Sequence, residues 1–146
     1  MVTSCSAHRR AMPAPVRTPA DALAALELAT DAGHNPAIVL ACLDRSRRPL
    51  TLFIIDDSAA GPEELVHALD VLLDVVGQAG PSPLTSLVVA TSRPGASVVP
   101  APGDAARWDQ MAGQCALAGV ALLDWFVLAD GASRSVPGSA GRRAGW

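Results

Sequence analysis

Lysine and tyrosine are missing from this 146-residue chain, and aromatic residues make up only 3% of it. All 11 basic residues are therefore arginines, a bias typical of GC-rich coding. The formal net charge of −3 argues against nucleic acid as an obligatory partner, because phosphate contacts need clustered cations. The tails hold the local basic groups His8-Arg9-Arg10 and Arg142-Arg143, and the turn Arg45-Ser46-Arg47-Arg48 holds three more arginines. With so few aromatics, the core has to be aliphatic. The three cysteines, Cys5, Cys42 and Cys115, stand far apart in no CxxC pattern and in odd number, which does not suggest a disulfide framework and makes a reducing cytoplasm the simplest setting. No apolar run reaches the roughly 18 residues of a membrane helix, and the start of the chain does not read as a signal peptide. A soluble cytoplasmic protein with no membrane association is expected.

What is present suits a single folded unit: half the residues are hydrophobic and 17% are charged. Residues 1–17 and 132–146, rich in Ser, Gly, Pro and Arg, read as flexible tails around a domain at 18–131. Thr18-Pro19-Ala20-Asp21 is a helix start: threonine caps, proline takes the first turn, and aspartate faces the positive end of the dipole. Leu23, Leu26 and Thr30 share one face of that helix, which Gly33 ends. The apolar runs 37–43 and 50–55, joined by a polar turn, form a hairpin of strands. Pro62 opens a second helix with an apolar stripe at Leu65, Leu69, Leu72, Leu73 and Val76. A strand over about 84–91, a helix carrying Trp108, Met111, Ala112 and Cys115, and a strand over 120–128 complete the domain. The order α-β-β-α-β-α-β predicts an α/β (α+β) fold with a mixed sheet flanked by helices, and no glycine-rich phosphate loop follows any strand.

Four local patterns in 36–130 resemble the JAB/MPN domains, most closely their RadC-like branch. Leu43-Asp44 before a basic turn is similar to that family's first hairpin, and Gly61-Pro62-Glu63-Glu64-Leu65 to its second helix start. Ala118-Gly119-Val120 leading into Leu122-Leu123-Asp124-Trp125 is similar to its last strand. The fourth pattern is the site loop, in which the spacing of the family's His-x-His-x10-Asp signature survives as Thr91-x-Arg93-x10-Asp104. The resemblance implies the JAB/MPN, cytidine-deaminase-like architecture. The helix-hairpin-helix region of RadC proteins has no counterpart before Thr18, so a DNA-binding role attached to it is not expected.

In active members of that family two histidines and an aspartate hold zinc, a serine steadies the oxyanion, and a glutamate activates the zinc-bound water. Carried across, the histidines become Thr91 and Arg93, the serine Ala101 and the glutamate Pro36, so that Asp104 alone remains. Threonine is a poor zinc ligand and a guanidinium offers no lone pair. The expectation is a vestigial site with no zinc, no other cofactor and no hydrolysis by the family mechanism.

Each side chain in question also has a plainer reading. Asp104 stands where an N-cap side chain would satisfy free N–H groups of the following helix. Arg93 either pairs with Asp104 or is a solvated loop residue. His8, His34 and His67 are better read as tail, turn and exposed helix residues than as ligands beside cysteines. Asp56 and Asp57 are read as a turn bonding the local backbone, in preference to an acid-base pair. Trp108, Cys42 and Cys115 are read as core, whereas Trp125 is open to a contact role.

The leading expectation is therefore a pseudoenzyme that acts as an interaction or scaffold module for an unidentified protein, with a homodimer also open. The alternatives are a metallopeptidase with a rebuilt site, and a small-molecule or anion binder using Thr91, Ser92, Arg93 or, for a partner, Trp125.

Overall fold

The computed structural model describes residues 14–56, 62–95 and 98–146. Cys5, His8 and Asp57 lie outside the described residues.

The first helix, α1 (Pro19–Thr30), begins as its residues dictate: Asp21 N–H donates to the Thr18 hydroxyl, and the Asp21 carboxylate accepts from Thr18 N–H. After it come β1 (Ala37–Leu43) and β2 (Pro49–Asp56), an antiparallel hairpin. Its turn is held by Asp44, whose carboxylate accepts from the N–H groups of Ser46 and Arg48. Then follow α2 (Pro62–Gln78), β3 (Ser86–Ser92), α3 (Asp104–Leu117) and β4 (Ala121–Ala129).

The chain does not stop packing there. It continues into β5 (Ala132–Ser135) and the single turn α4 (Val136–Ser139). Asp130 and Gly131 both take positive φ, 49° and 84°, the two-residue turn whose twist suits a hairpin. Arg142 then forms a two-pronged ion pair with Asp109 of α3, and Gly145 N–H donates to Leu123 O. The expected tail at 132–146 is thus corrected: this stretch is an integral part of the domain. At the other end Val16 is buried and its N–H donates to Arg47 O, so the packed chain also begins before 18.

The five strands form one mixed sheet in the order β2-β1-β3-β4-β5, in which only β3 and β4 run parallel. Strand alternation sends β1 and β3 side chains to two separate apolar layers. On one face Ile38, Leu40, Leu87, Val89 and Trp125 meet Leu65 and Leu69 of α2 and Trp108, Met111 and Cys115 of α3. On the other, Val39, Val88, Ala90 and Phe126 meet Ala22 and Leu26 of α1. All seven residues of β3 are buried, as a central strand covered on both faces requires. Cys42 and Cys115 are core thiols whose pKa burial pushes up to about 12, which keeps them protonated and inert near neutral pH.

No described helix is long and apolar enough to cross a membrane.

Candidate functional site

Strand register brings the sequence positions of interest to one end of the sheet. A single row crosses it there: Ile55 opposite Ile38, Ile38 opposite Thr91, Thr91 opposite Val127, and Val127 opposite Arg134. Ala37 is opposite Ser92, so Pro36 and Arg93 are the next residues beyond that pair. The loop after β3 is tied to the turn after β4, because Arg93 N–H donates to Leu128 O and Gly95 N–H to Asp130 Oδ2. Gly33 closes the rim from below: at φ +85° it lies so close that an added Cβ would stand 2.7 Å from Ala129 N.

Asp104 reaches this end from the start of α3. It is 4% exposed, and its Oδ2 accepts from Ala101 N–H at 2.9 Å and from Arg134 Nη1 at 3.2 Å. Gly103, not Asp104, is the N-cap residue, and it makes no side-chain cap bond. The expected capping role is therefore corrected: Asp104 is the first helical residue, and its carboxylate folds back onto the loop and across to β5. Its charge still faces the positive end of α3.

The cation beside Asp104 is Arg134. Arg93 is exposed and forms no ion pair among the described residues. An Arg93–Asp104 pair is thus not formed, because Arg93 sits past the end of β3 whereas Arg134 lies in the row itself. The Arg134 side chain is only 13% exposed, and its Nη1 also donates to Ser139 Oγ at 2.6 Å. Its Nε is buried without a partner.

The remaining positions are closed to ligands. Thr91 is 5% exposed, and its Oγ1 accepts from the Trp125 indole at 3.5 Å, while Ser92 Oγ donates to Asn35 O at 2.6 Å. Trp125 itself is 1% exposed. The contact role allowed to Thr91, Ser92 and Trp125 is corrected accordingly, since central strands covered on both faces leave them no route to solvent. Ala101 is exposed and carries only a methyl group, whereas the resemblance would place a hydroxyl donor there.

The groups outside this cluster behave as follows. His34 sits in the turn after α1, with Nδ1 2.7 Å from Asp31 O, and His67 is exposed on α2. Asp56 ends β2 and is exposed, and the turn expected to follow it lies outside the described residues. Among the described residues no three His, Cys, Asp or Glu side chains converge as metal ligands do. Zinc, which the family resemblance implies, does not fit the donors here: a buried hydroxyl, an exposed guanidinium and a carboxylate already facing a cation.

A second buried carboxylate, Asp124, lies on the α1 face of the sheet. The β3–β4 register slips between Leu87 and Val88, and this irregularity leaves Leu123 and Asp124 turned to the same side. Asp124 is 1% exposed and accepts from Ser135 Oγ at 2.7 Å, Trp146 Nε1 at 2.8 Å and its neighbour Trp125 N–H. Arg47 lies over the Trp146 ring, 5.9 Å from its centre. Arg134, Ser135, Ser139 and Trp146 had all been assigned to a tail, so this half of the polar structure was missed. The Asp130-Gly131 pair, a strong hairpin signal after a strand, could have found it.

Compared with known proteins, the chain matches no family model and no curated sequence.

Proposed function

We propose that this chain is a RadC-like JAB/MPN-type domain in which an arginine–aspartate pair stands in the place of a metal, and that it acts as a protein-binding module without hydrolytic activity. The observation that carries the reading is the Arg134 guanidinium on Asp104. A cation fixed by the protein satisfies the one remaining carboxylate, and so removes the electrostatic demand that a metal would meet. Pro36, from the loop before β1, stands at the same sheet end as Thr91 and Arg93, and Arg134 ties Asp104 to that row, which supports the family correspondence. The anion-binding alternative loses ground, since of its loop donors only Arg93 is open to solvent.

The correspondence has a direct test. The triple variant Thr91→His, Arg93→His, Arg134→Gln returns two imidazoles to one face of β3 and frees Asp104. It is expected to bind zinc at least about tenfold more tightly than the wild type by calorimetric titration. A folded triple variant with no gain in zinc affinity would contradict the assignment of these positions.

A further inference from the structure

We infer that the end of the sheet away from the vestigial positions is a docking surface for an acidic segment of another protein, held by Arg17, Arg45, Arg47 and Arg48. Leu43 is opposite both Pro49 and Ser86, and Ser86 is opposite Ala121, so the turn 44–48, the loop 79–85 and the turn 118–120 lie together at this end. Val16 N–H donates to Arg47 O, which brings residues 14–18 to the same place. These four segments hold four arginines and a single acidic residue, Asp44. The Asp44 carboxylate is engaged by the N–H groups of Ser46 and Arg48, and that of Asp21, in the first turn of α1, by those of Arg17 and Thr18. None of the four guanidiniums is in an ion pair among the described residues.

The net charge of −3 does not cancel this patch, because the two signs are held apart. Asp31, Asp56, Glu63, Glu64 and Asp130 are exposed at the other end of the sheet. The 17 residues of α2 run between the two ends and span about 25 Å, whereas salt screens exposed charges over roughly 8 Å. A ligand at the arginine end therefore meets the local charge. Arg47 is also ordered in advance: its guanidinium lies over the Trp146 ring, 5.9 Å from the centre. Part of the freedom that binding would remove is already lost, and the planar fork suits a carboxylate.

Two observations favour a protein segment over a nucleic acid. Leu50 and Leu117 are 39% and 92% exposed and stand at this same end, one beside Pro49 and the other closing α3. They give apolar side chains of a peptide something to cover, and offer a phosphate backbone nothing. A single-stranded nucleic acid would instead want successive open aromatic faces, and the indole found here is half-buried with Arg47 already over it. The inference rests on the protein-binding reading above and gives the partner its chemistry. Its failure would leave the Arg134–Asp104 account, which the zinc-return variant tests separately, untouched.

Fluorescence anisotropy with a labelled Glu-Glu-Leu-Glu-Glu-Leu-Glu-Glu peptide tests it on the purified protein. At about 50 mM salt the wild type should bind with a Kd of roughly 100 μM or below, and the double variant Arg45→Glu, Arg48→Glu at least about tenfold more weakly. Both side chains are exposed, and circular dichroism should show the double variant folded. Arg93→Glu, at the other end of the sheet, should change the affinity by less than about twofold. Absence of saturable binding by the wild type overturns the inference. So does a folded double variant that binds as well as the wild type, an equal loss in Arg93→Glu, or an eight-nucleotide oligothymidylate that binds as tightly as the peptide.

Discussion

Arg134→Ala lowers the stability of the domain by about 3 kcal/mol, the cost of leaving a buried carboxylate without its cation. The Coulomb attraction across 3.2 Å is not itself the measure, because both groups gave up water to reach a site where their side chains are 13% and 6% exposed. What makes the single substitution severe is that Asp104 cannot regain that water while α3 stays docked; only Ala101 N–H remains to it. The reverse change, Asp104→Ala, strands a guanidinium whose Nε already lacks a partner and frees Ala101 N–H. The double variant should therefore cost less than the sum of the singles, with a coupling of about 1.5 kcal/mol or more in a denaturant double-mutant cycle. Single effects below about 0.5 kcal/mol would mean that the pair behaves as an ordinary surface contact.

Trp146→Ala should cost nearly as much, about 2 to 3 kcal/mol by urea denaturation. The indole fills part of the layer between α1 and the sheet, carries the Arg47 guanidinium on its face, and donates to Asp124. Trp146→Phe separates these terms, since it keeps most of the ring contact and deletes the N–H. It should account for about 1 to 2 kcal/mol of the loss, the range for a hydrogen bond to a charged group whose acceptor stays buried. If Trp146→Phe is neutral, Asp124 is already satisfied by Ser135 and the Trp125 N–H, and the indole contributes through packing alone.

Most of the fold was legible because local signals and burial agree in it. Thr18 with Asp21 makes the capping box that this spacing implies, and the stripes on α2 and α3 pack as their periodicity requires. Of the positions that the resemblance singles out, Pro36, Thr91 and Arg93 meet through register at the ends of β1 and β3. Two things were not legible. Residues 132–146 contain few large apolar groups, so composition suggested a tail, while the ordering comes from specific pairings: the Asp130-Gly131 turn, Arg142 with Asp109, and Trp146 with Asp124. The partner of Asp104 was sought at Arg93, nearby in the same motif, when a hairpin places Arg134 in the row instead. Long-range ion pairs of this kind follow from register, which no single stretch of sequence carries.

Metal content tests the arginine–aspartate substitution most directly. The purified protein should be incubated with excess zinc, passed through a desalting column and analysed for bound metal per chain. With Arg134 on Asp104 and no ligand at Thr91 or Arg93, no stoichiometric zinc is expected, and the melting temperature should not respond to a chelator. One tightly held zinc per chain, with stability lost on chelation, would contradict it.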